Sequence, residues 1–531
     1  MLTRLRYHGV LSLVDGTHAK LHRRLNSRLC TAPEDDMMRI LLVKPQAHLQ
    51  TVLGLQRFQC LEPLEFGYLA AAIPAEHEIR VLDLRLYRWA NSAFERELAR
   101  FRPDLVGFTA YSHESGAMKR LAGKVHQLLP KTRIVVGGHH ATVAPGDCNI
   151  PDIDYIVRGE GCAPFRDLVA ALHKGEEPEG IANVLLTGEG FDAMAAANWP
   201  RYPDPRTLPL PRRDLWDSRS YYCVWVCENP RDWQALYPRV AMARTSYGCK
   251  MTCSFCIVPF LSGTTHMPRL VEVVAEDLAN TPVDHIYFAD DENFIDEQFG
   301  FELAEELEKR GVRKRYFAWA RATTILRYPE LMRRWKEIGL DGVFVGFEFV
   351  TNAELKAVRK GGTISHNERA LDTLRSLGIA CHAAFMVRPE YGYAEFERLR
   401  DYVNALPPVQ CSFTVCTPSP GTADYEAARP SFWVGDAYDL HDCMHPVTPT
   451  ALPLREFGEL LARQLHEASR HNPLRVERHP IRPWELVRAI AAEKRYEQAF
   501  RQLYRDFPRE LWDWSGRDAT GAGLEATPIS G

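Results

Sequence analysis

The sequence predicts an α/β protein in which a doubly wound, Rossmann-like sheet, a partial (β/α)6 barrel and a helical C-terminal region follow one another. Two series of short apolar strands alternate with helical patterns, one at residues 38–187 and one at residues 239–425. A Pro-rich stretch separates them, and two amphipathic helices follow in residues 426–531. Because such alternation produces parallel strands with right-handed crossovers, we expect two parallel sheets.

The first series contains six strand-like runs, which are RILLVKP, EIRVLDL, PDLVGFTAYS, TRIVVGG, DYIVRGE and ANVLL. Helical patterns such as ESGAMKRLAGKVHQLLP lie between them. Ligands of doubly wound sheets bind beyond the carboxyl ends of the strands. Before this series, residues 1–37 are rich in Arg and His and show no sustained periodicity, so we expect a disordered extension there.

Three strand ends of the first series are rich in Gly and small polar residues, with the sequences GFTAYS, GGHHAT and RGEG. Glycines let the backbone approach a bulky ligand, and hydroxyl groups bond to it without filling space. Any one of these ends alone could be an ordinary turn, but three together predict a ligand site. The candidate residues are Gly107, Thr109, Ser112, Gly137, Gly138, His139, Gly159 and Glu160.

The second series follows a stretch at residues 188–238 that is too rich in Pro for regular structure and is predicted to be an extended linker. Its strands are RVAMART, DHIYFAD, RYFAWAR, GVFVGFE, CHAAFMV and QCSFTVC. Six strand–helix units without a reversal predict an open barrel with its active site at the carboxyl ends of the strands. Two amphipathic helices and a disordered tail are expected after it.

Composition excludes several classes of protein. The 531 residues are 46% hydrophobic and 25% charged, with a formal net charge of -4 and no basic run, which argues against nucleic-acid binding. No run approaches the length of about 18 apolar residues that spans a membrane, and the N-terminus lacks a convincing secretory signal, so we expect a cytoplasmic protein. Its thirteen cysteines should then be free thiols or metal ligands.

Three of these cysteines follow the first strand of the second series, in the sequence TSYGCKMTCSFC. Cys249, Cys253 and Cys256 have no fourth Cys or His at the spacing of a structural zinc site, and the nearest candidate, His266, has no companion. Three thiolates on a short loop suit a 4Fe-4S cluster, in which each thiolate holds one iron. The fourth iron remains open for a substrate or cofactor.

The CxxxCxxC loop, with Phe255 before its last cysteine, resembles the radical S-adenosylmethionine (SAM) superfamily. The resemblance implies that the open iron binds SAM beside Phe255. It also implies reductive cleavage of SAM to a 5′-deoxyadenosyl radical, with an electron donor such as a flavodoxin or ferredoxin.

Other strand ends of the barrel agree with this resemblance. Asp290 and Asp291 stand where the superfamily holds the SAM amino group, although many members have Gly-Gly-Glu there. Gly346 and Glu348 resemble its fourth-strand motif, in which the carboxylate accepts from the ribose hydroxyls. Arg321 is expected to pair with the SAM carboxylate, because a planar guanidinium suits that group.

The unit before the barrel resembles the cobalamin-binding module of one large branch of radical SAM enzymes, and PSPGT after the sixth strand recurs there as well. The resemblance covers residues 38–425 and identifies the chain as a member of the cobalamin-binding (class B) radical SAM methyltransferases. The lower-ligand motif D-x-H-x-x-G is missing, since His48 lacks the Asp and the Gly. This implies a corrin without a histidine below the cobalt.

The two cofactors together imply methylation of an unactivated carbon by methylcobalamin. No protein acid or base is required, so no catalytic residue is named beyond the cluster ligands. The segment DLHDCMHPVTPTALPLREF resembles the hopanoid C-3 methylase group of this branch, which implies a lipid substrate methylated on its A ring. The alternatives are a cyclase or methylase acting on a tetrapyrrole, and a non-catalytic cobalamin sensor that would not need the cysteines. The C-terminal helices either contact a membrane surface or pack on the barrel.

Overall fold

The computed structural model describes residues 37–197, 204–229, 235–435, 437–470, 472 and 481–514. The predicted disordered segments at residues 1–36 and 515–531 lie outside these ranges. Within them, no helix is both long and apolar enough to cross a membrane.

The first sheet has six strands in the order β2-β1-β3-β4-β5-β6, which is a doubly wound arrangement. In chain order the strands β1 to β6 are Arg39–Lys44, Glu78–Asp83, Leu105–Thr109, Arg133–Gly137, Tyr155–Val157 and Val184–Leu186. The helices around it are Gln50–Leu55, Leu64–Ala72, Ala90–Phe101, Ser115–Leu128, Gly138–Val143 and Cys162–His173. Ile40 and Leu42 of β1 pack on one side of the sheet, while Leu41 and Val43 pack on the other, as the two-residue period of a buried strand requires.

Strand β6 runs antiparallel to β5, whereas the sequence predicted a wholly parallel sheet. Val157, the last residue of β5, pairs with Val184, the first residue of β6. A short apolar run does not encode its direction, and the connection at residues 174–183 carries the chain back to the carboxyl edge before β6 begins. An antiparallel edge strand is common on sheets of this kind.

The second sheet is the predicted partial barrel, with six parallel strands in sequential order. Its strands β7 to β12 are Val240–Ala243, His285–Phe288, Arg315–Trp319, Leu340–Glu348, Ala380–Val387 and Gln410–Val415. Its helices are Val258–Ser262, Val271–Asn280, Glu297–Lys309, Ala322–Arg327, Pro329–Ile338, Asn352–Ala357, Ile364–Ser376, Tyr393–Ala405 and Ala423–Ala428. Two ribbons of two-residue strands pair Gln59–Cys60 with Tyr222–Cys223 and Ser246–Tyr247 with Met267–Pro268.

The sequence of helix Pro329–Ile338 shows how one such unit forms. Proline begins it, and its residues Leu331, Met332, Trp335 and Ile338 form one buried face at helical spacing. Gly339 ends it with a φ of +119°, and a Cβ there would lie 2.1 Å from the carbonyl oxygen of Lys314. Only glycine fits this left-handed cap, which turns the chain directly into β10.

The Pro-rich stretch is packed structure in its described part rather than the extended linker that the sequence predicted. It contains helix Phe191–Ala197. Its Trp225 is 2% exposed and donates from Nε1 to Asp341 at 2.8 Å, while Arg315 pairs with the same carboxylate at 2.5 Å. These partners lie where β9 and β10 begin, so Trp225 covers the amino-terminal ends of the barrel strands. Proline prevents regular hydrogen bonding, but it does not prevent neighbouring aromatic residues from being buried.

Two C-terminal helices, Leu454–Arg470 and Pro483–Arg501, complete the molecule. The first packs on β12, and the second packs on the first and on helix Gln50–Leu55 of the other unit. Gly458 permits the close approach of the two helices, because a Cβ there would lie 2.6 Å from the carbonyl oxygen of Phe500.

A buried histidine ties three parts of the chain together. Nδ1 of His445 lies 3.0 Å from Asp442, and Nε2 lies 3.2 Å from Asp506 near the C-terminus. Asp442 also accepts from the hydroxyl of Thr51 in the first unit. Burial alone would lower the pKa of His445, but the two carboxylates outweigh it and raise the pKa to about 9. His445 is therefore a paired cation at neutral pH.

Raising the pH through this pKa should destabilise the protein. The folded pKa of His445 lies above its ordinary value of about 6.5, so its stabilising effect is complete below that pH and is lost as the pH rises through about 9. His445→Gln should lower the free energy of unfolding at neutral pH by about 3 kcal/mol. In this variant the free energy of unfolding should also decline less than in wild type as the pH rises. Denaturant unfolding at neutral pH and above pH 9 measures both effects, with the exposed His126→Gln as control. Equal declines in wild type and His445→Gln would contradict the pairing.

Candidate functional site

One large cavity, with a volume of about 1030 Å³, lies between the two sheets. It starts at the carboxyl ends of β1, β3, β4 and β5, passes the end of β8 and reaches the barrel interior and the C-terminal helices. Ligands of both sheet types bind at carboxyl ends. The cavity therefore connects the Gly-rich strand ends of the first sheet with Asp290 and Asp291 at the end of β8. The other predicted cluster and SAM residues are not among those that line it, namely Cys249, Cys253, Cys256, Phe255, Arg321, Gly346 and Glu348.

Most residues predicted from the Gly-rich strand ends line this cavity. They are Gly107, Thr109, Gly137, Gly138, His139, Gly159 and Glu160. Gly138 has a φ of +88°, and a Cβ there would lie 2.4 Å from the hydroxyl of Thr109. Glycine is thus required where two strand ends meet the cavity. Ser112 is not part of the lining, and its hydroxyl lies 3.2 Å from Nδ1 of His140 in a buried network.

The Gly-rich strand ends that line the cavity, at residues 107–109, 137–139 and 159–160, form a cradle. Two buried polar atoms in this cradle have no hydrogen-bond partner among the described residues, namely Nδ1 of His139 and Oε2 of Glu160. The other carboxylate oxygen of Glu160 accepts from the N–H of Cys162 at 2.8 Å. Burial lowers the pKa of His139 to about 4, so its imidazole is neutral. Unpaired buried groups cost free energy, and a polar ligand in the cradle would satisfy both.

A buried ion pair in the cradle was not predicted from the sequence. Lys44, at the end of β1, donates to Glu114 at 2.9 Å, and its Nζ lies 4.6 Å from the ring centre of Tyr111. Burial lowers the pKa of Lys44, but attraction to Glu114, Glu65 and Tyr111 together outweighs burial and raises the pKa. Tyr111 lines the cavity and is 52% exposed. The available signal was a lysine directly after four aliphatic residues in RILLVKP.

His48 lies outside the lining of the cavity. Its side chain is half exposed, and its Nδ1 is 3.7 Å from the carboxylate of Asp439. This placement agrees with the missing D-x-H-x-x-G motif. That a corrin bound here lacks a histidine below the cobalt stays a prediction.

The cysteine loop follows strand β7. Cys253 is buried, Cys249 and Cys256 are partly exposed, and all three are free thiols. Burial raises the pKa of Cys249 and raises that of Cys256 to about 12, so iron binding would displace protons from these thiols. Within the described ranges, no three ligating side chains converge on a single ion. A cubane cluster does not require this, because each thiolate binds its own iron.

Asp290 anchors the start of the loop. Its carboxylate accepts hydrogen bonds from the N–H and hydroxyl groups of both Thr245 and Ser246, and from the amide of Asn293 at 2.8 Å. Burial nevertheless raises the pKa of Asp290. These bonds give Asp290 a structural role that the sequence did not predict.

Asp291 holds the loop at Gly248, immediately before the first cysteine. It accepts from the N–H of Gly248 at 2.7 Å and from Arg244 at 3.1 Å. Gly248 has a φ of +84°, and a Cβ there would lie 2.1 Å from the carbonyl oxygen of Thr265. The turn into the cysteines therefore requires glycine and is fixed by a carboxylate of the neighbouring strand end.

Arg321 lies beside the cysteine loop. Its Nη1 is 3.5 Å from Sγ of Cys253, and its buried Nε has no partner in the part of the chain that the structure describes. Its backbone N–H donates to Glu292 at 3.1 Å, and burial raises the pKa of that carboxyl group. Sequence reasoning stopped at Asp291 and missed Glu292, the next residue. An unpaired guanidinium nitrogen and a buried carboxylate suit the carboxylate and amino groups of an amino acid.

Glu348 ends strand β10 with a φ of +62° at a shift in the pairing register. Its carboxylate accepts from Lys360 at 2.5 Å, and a Cβ at Gly346 would lie 2.1 Å from it. Gly346 thus makes room for this pair. Phe255 packs against the barrel core. Contact of these three predicted residues with SAM stays a prediction.

Comparison with known proteins identifies the family. A B12 binding domain model matches residues 50–169, and a Radical SAM superfamily model matches residues 244–403. The hopanoid C-3 methylase of Methylococcus capsulatus is 32% identical over 434 residues, which are 80% of this chain and 79% of that protein. The chain belongs to the cobalamin-binding radical SAM methyltransferases.

Other members of this wider group differ in what they act on. An anaerobic magnesium-protoporphyrin IX monomethyl ester cyclase of Rubrivivax gelatinosus is 25% identical over 440 residues, which are 80% of this chain and 76% of that protein. The solved structure of the cobalamin-dependent SAM radical enzyme OxsB has a TM-score of 0.62 at 16% identity, covering 88% of this chain and 72% of that one. This likeness concerns the fold.

This radical SAM methyltransferase uses a 4Fe-4S cluster, SAM and methylcobalamin, and it needs an electron donor and a substrate. The residues present fit these groups. Three free thiols lie on one loop, and an unpaired guanidinium nitrogen lies beside them. The orphaned atoms of His139 and Glu160 line a cavity whose strand ends are kept open by glycine. We expect the cysteines to hold the cluster, Arg321 and Glu292 to bind SAM, and the cradle to bind cobalamin.

Loss of one loop thiol should prevent cluster assembly. Wild-type protein reconstituted without oxygen should hold about four irons, whereas Cys253→Ala should hold a small fraction of that and should no longer cleave SAM. Iron analysis and chromatography of 5′-deoxyadenosine measure the two properties. Cys381→Ala, in buried strand β11, is the control and should retain both. Full iron content and full cleavage in Cys253→Ala would refute the assignment.

A methyl group at Gly138 should weaken cobalamin binding. Gly138→Ala places a side chain on a backbone with a φ of +88°, and its Cβ clashes with Thr109. The dissociation constant for cobalamin should therefore rise about tenfold or more. Equilibrium titration followed by absorbance measures the change. Gly146→Ala in the same unit is the control, because no atom lies within 4 Å of a Cβ there. Equal affinities in the two variants would show that the cradle is not the binding site.

Proposed function

We propose that this enzyme methylates an unactivated ring carbon of an apolar polycyclic lipid, at C-3 in the A ring of a hopanoid. The observation that carries the proposal is the character of the cavity beyond the cofactor residues. The similarity to a hopanoid C-3 methylase over four fifths of the chain supports it.

The part of the cavity inside the barrel is lined by aromatic side chains of successive strands, which are Tyr287, Phe317, Trp319 and Phe344. The C-terminal helices add apolar residues to its wall, along with Glu493 and Glu497, and these apolar residues are Leu465, Ala468, Leu486, Ala489 and Ile490. A rigid hydrocarbon gains free energy on leaving water for such a wall and leaves no polar group of its own unpaired.

The charges around the cavity favour a neutral substrate over a tetrapyrrole with carboxylates. The cationic side chains lining it within the described ranges are Lys44 and Arg244. Both are already paired, with Glu114 and Asp291 respectively. An anionic substrate would therefore enter without a free cation to receive it, which is costly in a buried site.

The substrate carbon has no acidic proton and no polarised bond, so ordinary nucleophilic methylation cannot reach it. When bound, the cluster with SAM supplies hydrogen abstraction, and cobalamin supplies the methyl group. The chain contributes orientation and exclusion of water, through packed rings such as Trp319 and Phe344 with centroids 4.0 Å apart. His382 also faces this space, where burial lowers its pKa to about 4 and keeps the imidazole uncharged.

A lipid of this kind resides in membranes, so the proposal includes peripheral contact of the enzyme with a bilayer. A non-catalytic cobalamin sensor explains the first unit alone. It gives no reason for three free cysteines on a loop whose start is held by Asp290 and Asp291, two residues that line the cavity.

Deleting the gene from a hopanoid-producing host should remove hopanoids methylated on the A ring, and the wild-type gene should restore them. Cys256→Ala should not restore them, because the cluster would be incomplete. Mass spectrometry of extracted lipids measures the outcome, and Cys381→Ala serves as the matched control. An unchanged lipid profile together with a missing pigment intermediate would overturn the proposal in favour of a tetrapyrrole substrate.

A further inference from the structure

We propose that the outer face at the start of helix Pro483–Arg501 docks the enzyme on a lipid bilayer, next to the wall of the substrate cavity. The docking face consists of Trp484, Val487, Ala491, Lys494 and Arg495. The inference rests on the proposed lipid substrate and assigns the surface through which that substrate is collected.

The two faces of this helix have different surroundings. Leu486, Ala489 and Ile490 line the cavity, whereas Trp484 is 63% exposed and Val487 is 65% exposed. Positions 484, 487 and 491 are three and four residues apart, so they form one outward stripe. A helix that only packed on the barrel would turn its large apolar residues inward. This helix instead carries apolar residues on its outer face as well, which indicates that the outer face also contacts an apolar partner.

The other C-terminal helix, Leu454–Arg470, is the internal comparison. Its large apolar residues Leu454, Phe457 and Leu461 are fully buried against the barrel. Of the two helices for which the sequence suggested membrane contact, the structure gives an exposed apolar face to Pro483–Arg501. Packing on the barrel accounts for the other helix.

Cations surround the apolar stripe. The guanidinium of Arg482 lies 5.3 Å from the ring centre of Trp484, and Lys494 and Arg495 are exposed one to two turns further along the same side. Tryptophan favours the headgroup region of a bilayer, where its ring is apolar and its N–H is hydrated. Lys and Arg beside it attract the anionic lipids of that surface. The pattern fits an anionic bilayer better than an uncharged protein groove.

The first unit carries a second exposed apolar segment. It lies just beyond the end of β2 and contains Leu86, Tyr87 and Trp89, which are 41%, 42% and 69% exposed. Asp83, at the end of β2, accepts from the hydroxyl of Tyr221 at 3.3 Å. The next residue, Tyr222, lies under the guanidinium of Arg488 at 4.4 Å. Asp83 and Arg488 thus contact adjacent residues beside the short ribbon whose Gln59 and Cys223 line the cavity.

Vesicle binding tests the docking face directly. Cobalamin-loaded protein is sedimented with vesicles of phosphatidylcholine and phosphatidylglycerol in equal parts, without hopanoid. Wild type should bind, and the double variant Trp484→Gln, Val487→Gln should bind about tenfold or more weakly, since two apolar side chains no longer enter the bilayer. Leu128→Gln is the control. Leu128 is 49% exposed but ends helix Ser115–Leu128, which returns to the opposite edge of the first sheet.

Methylation assays separate this proposal from the substrate assignment. With hopanoid dispersed in detergent, the double variant should match wild type. With hopanoid in vesicles, it should lose most of its activity. Wild type that does not bind vesicles, or a double variant that binds as tightly as wild type, would overturn the docking face while methylation in detergent stood. The docking face would also be overturned if wild type formed dimers that the double substitution disrupts and did not bind vesicles. Vesicle binding lost in the double variant, with no hopanoid methylation in detergent, would support docking and refute the substrate.

Discussion

The carboxyl ends of parallel strands from both sheets face one cavity, and this arrangement determines where most candidate cobalamin residues lie. A parallel strand exposes its functional residues at its carboxyl end, because the following loop is the first part of the unit free of the sheet. Bringing two such edges together places the cradle around Gly138 on the same cavity as Asp290 and Asp291, the strand end that holds the start of the cysteine loop. The chemistry needs this, since a radical and a methyl donor must act on one carbon.

The sequence indicated both sheets because their strands are short, apolar and separated by helical periods that leave few alternatives. Sequence reasoning failed where an outcome depends on contacts distant in the chain. Nothing in VLL determines that β6 runs backward, and nothing in a Pro-rich stretch shows that Trp225 will reach Asp341, which is 116 residues away. Direction and long-range burial are tertiary properties.

The candidate site shows the same division. Cysteine spacing and the glycines at strand ends were visible, because each reflects local geometry. The separate roles of Asp290, Asp291 and Glu292 were not visible, since three consecutive acidic residues cannot be distinguished until their partners are known. Asp290 meets Thr245 and Ser246, whereas Glu292 meets the backbone of Arg321. Lys44 was missed because a buried lysine is recognised only once its partner is known, here the carboxylate of Glu114.

Trp225 also has a consequence for traffic through the enzyme. Since it is buried against the starts of β9 and β10, we expect product to leave the barrel by the route through which substrate entered. For the proposed lipid, substrate and product differ by one carbon, which changes apolar binding by only about 0.8 kcal/mol. The methylated lipid is then a competitor nearly as good as the substrate. Turnover would be governed by how quickly the surrounding lipid pool dilutes the product.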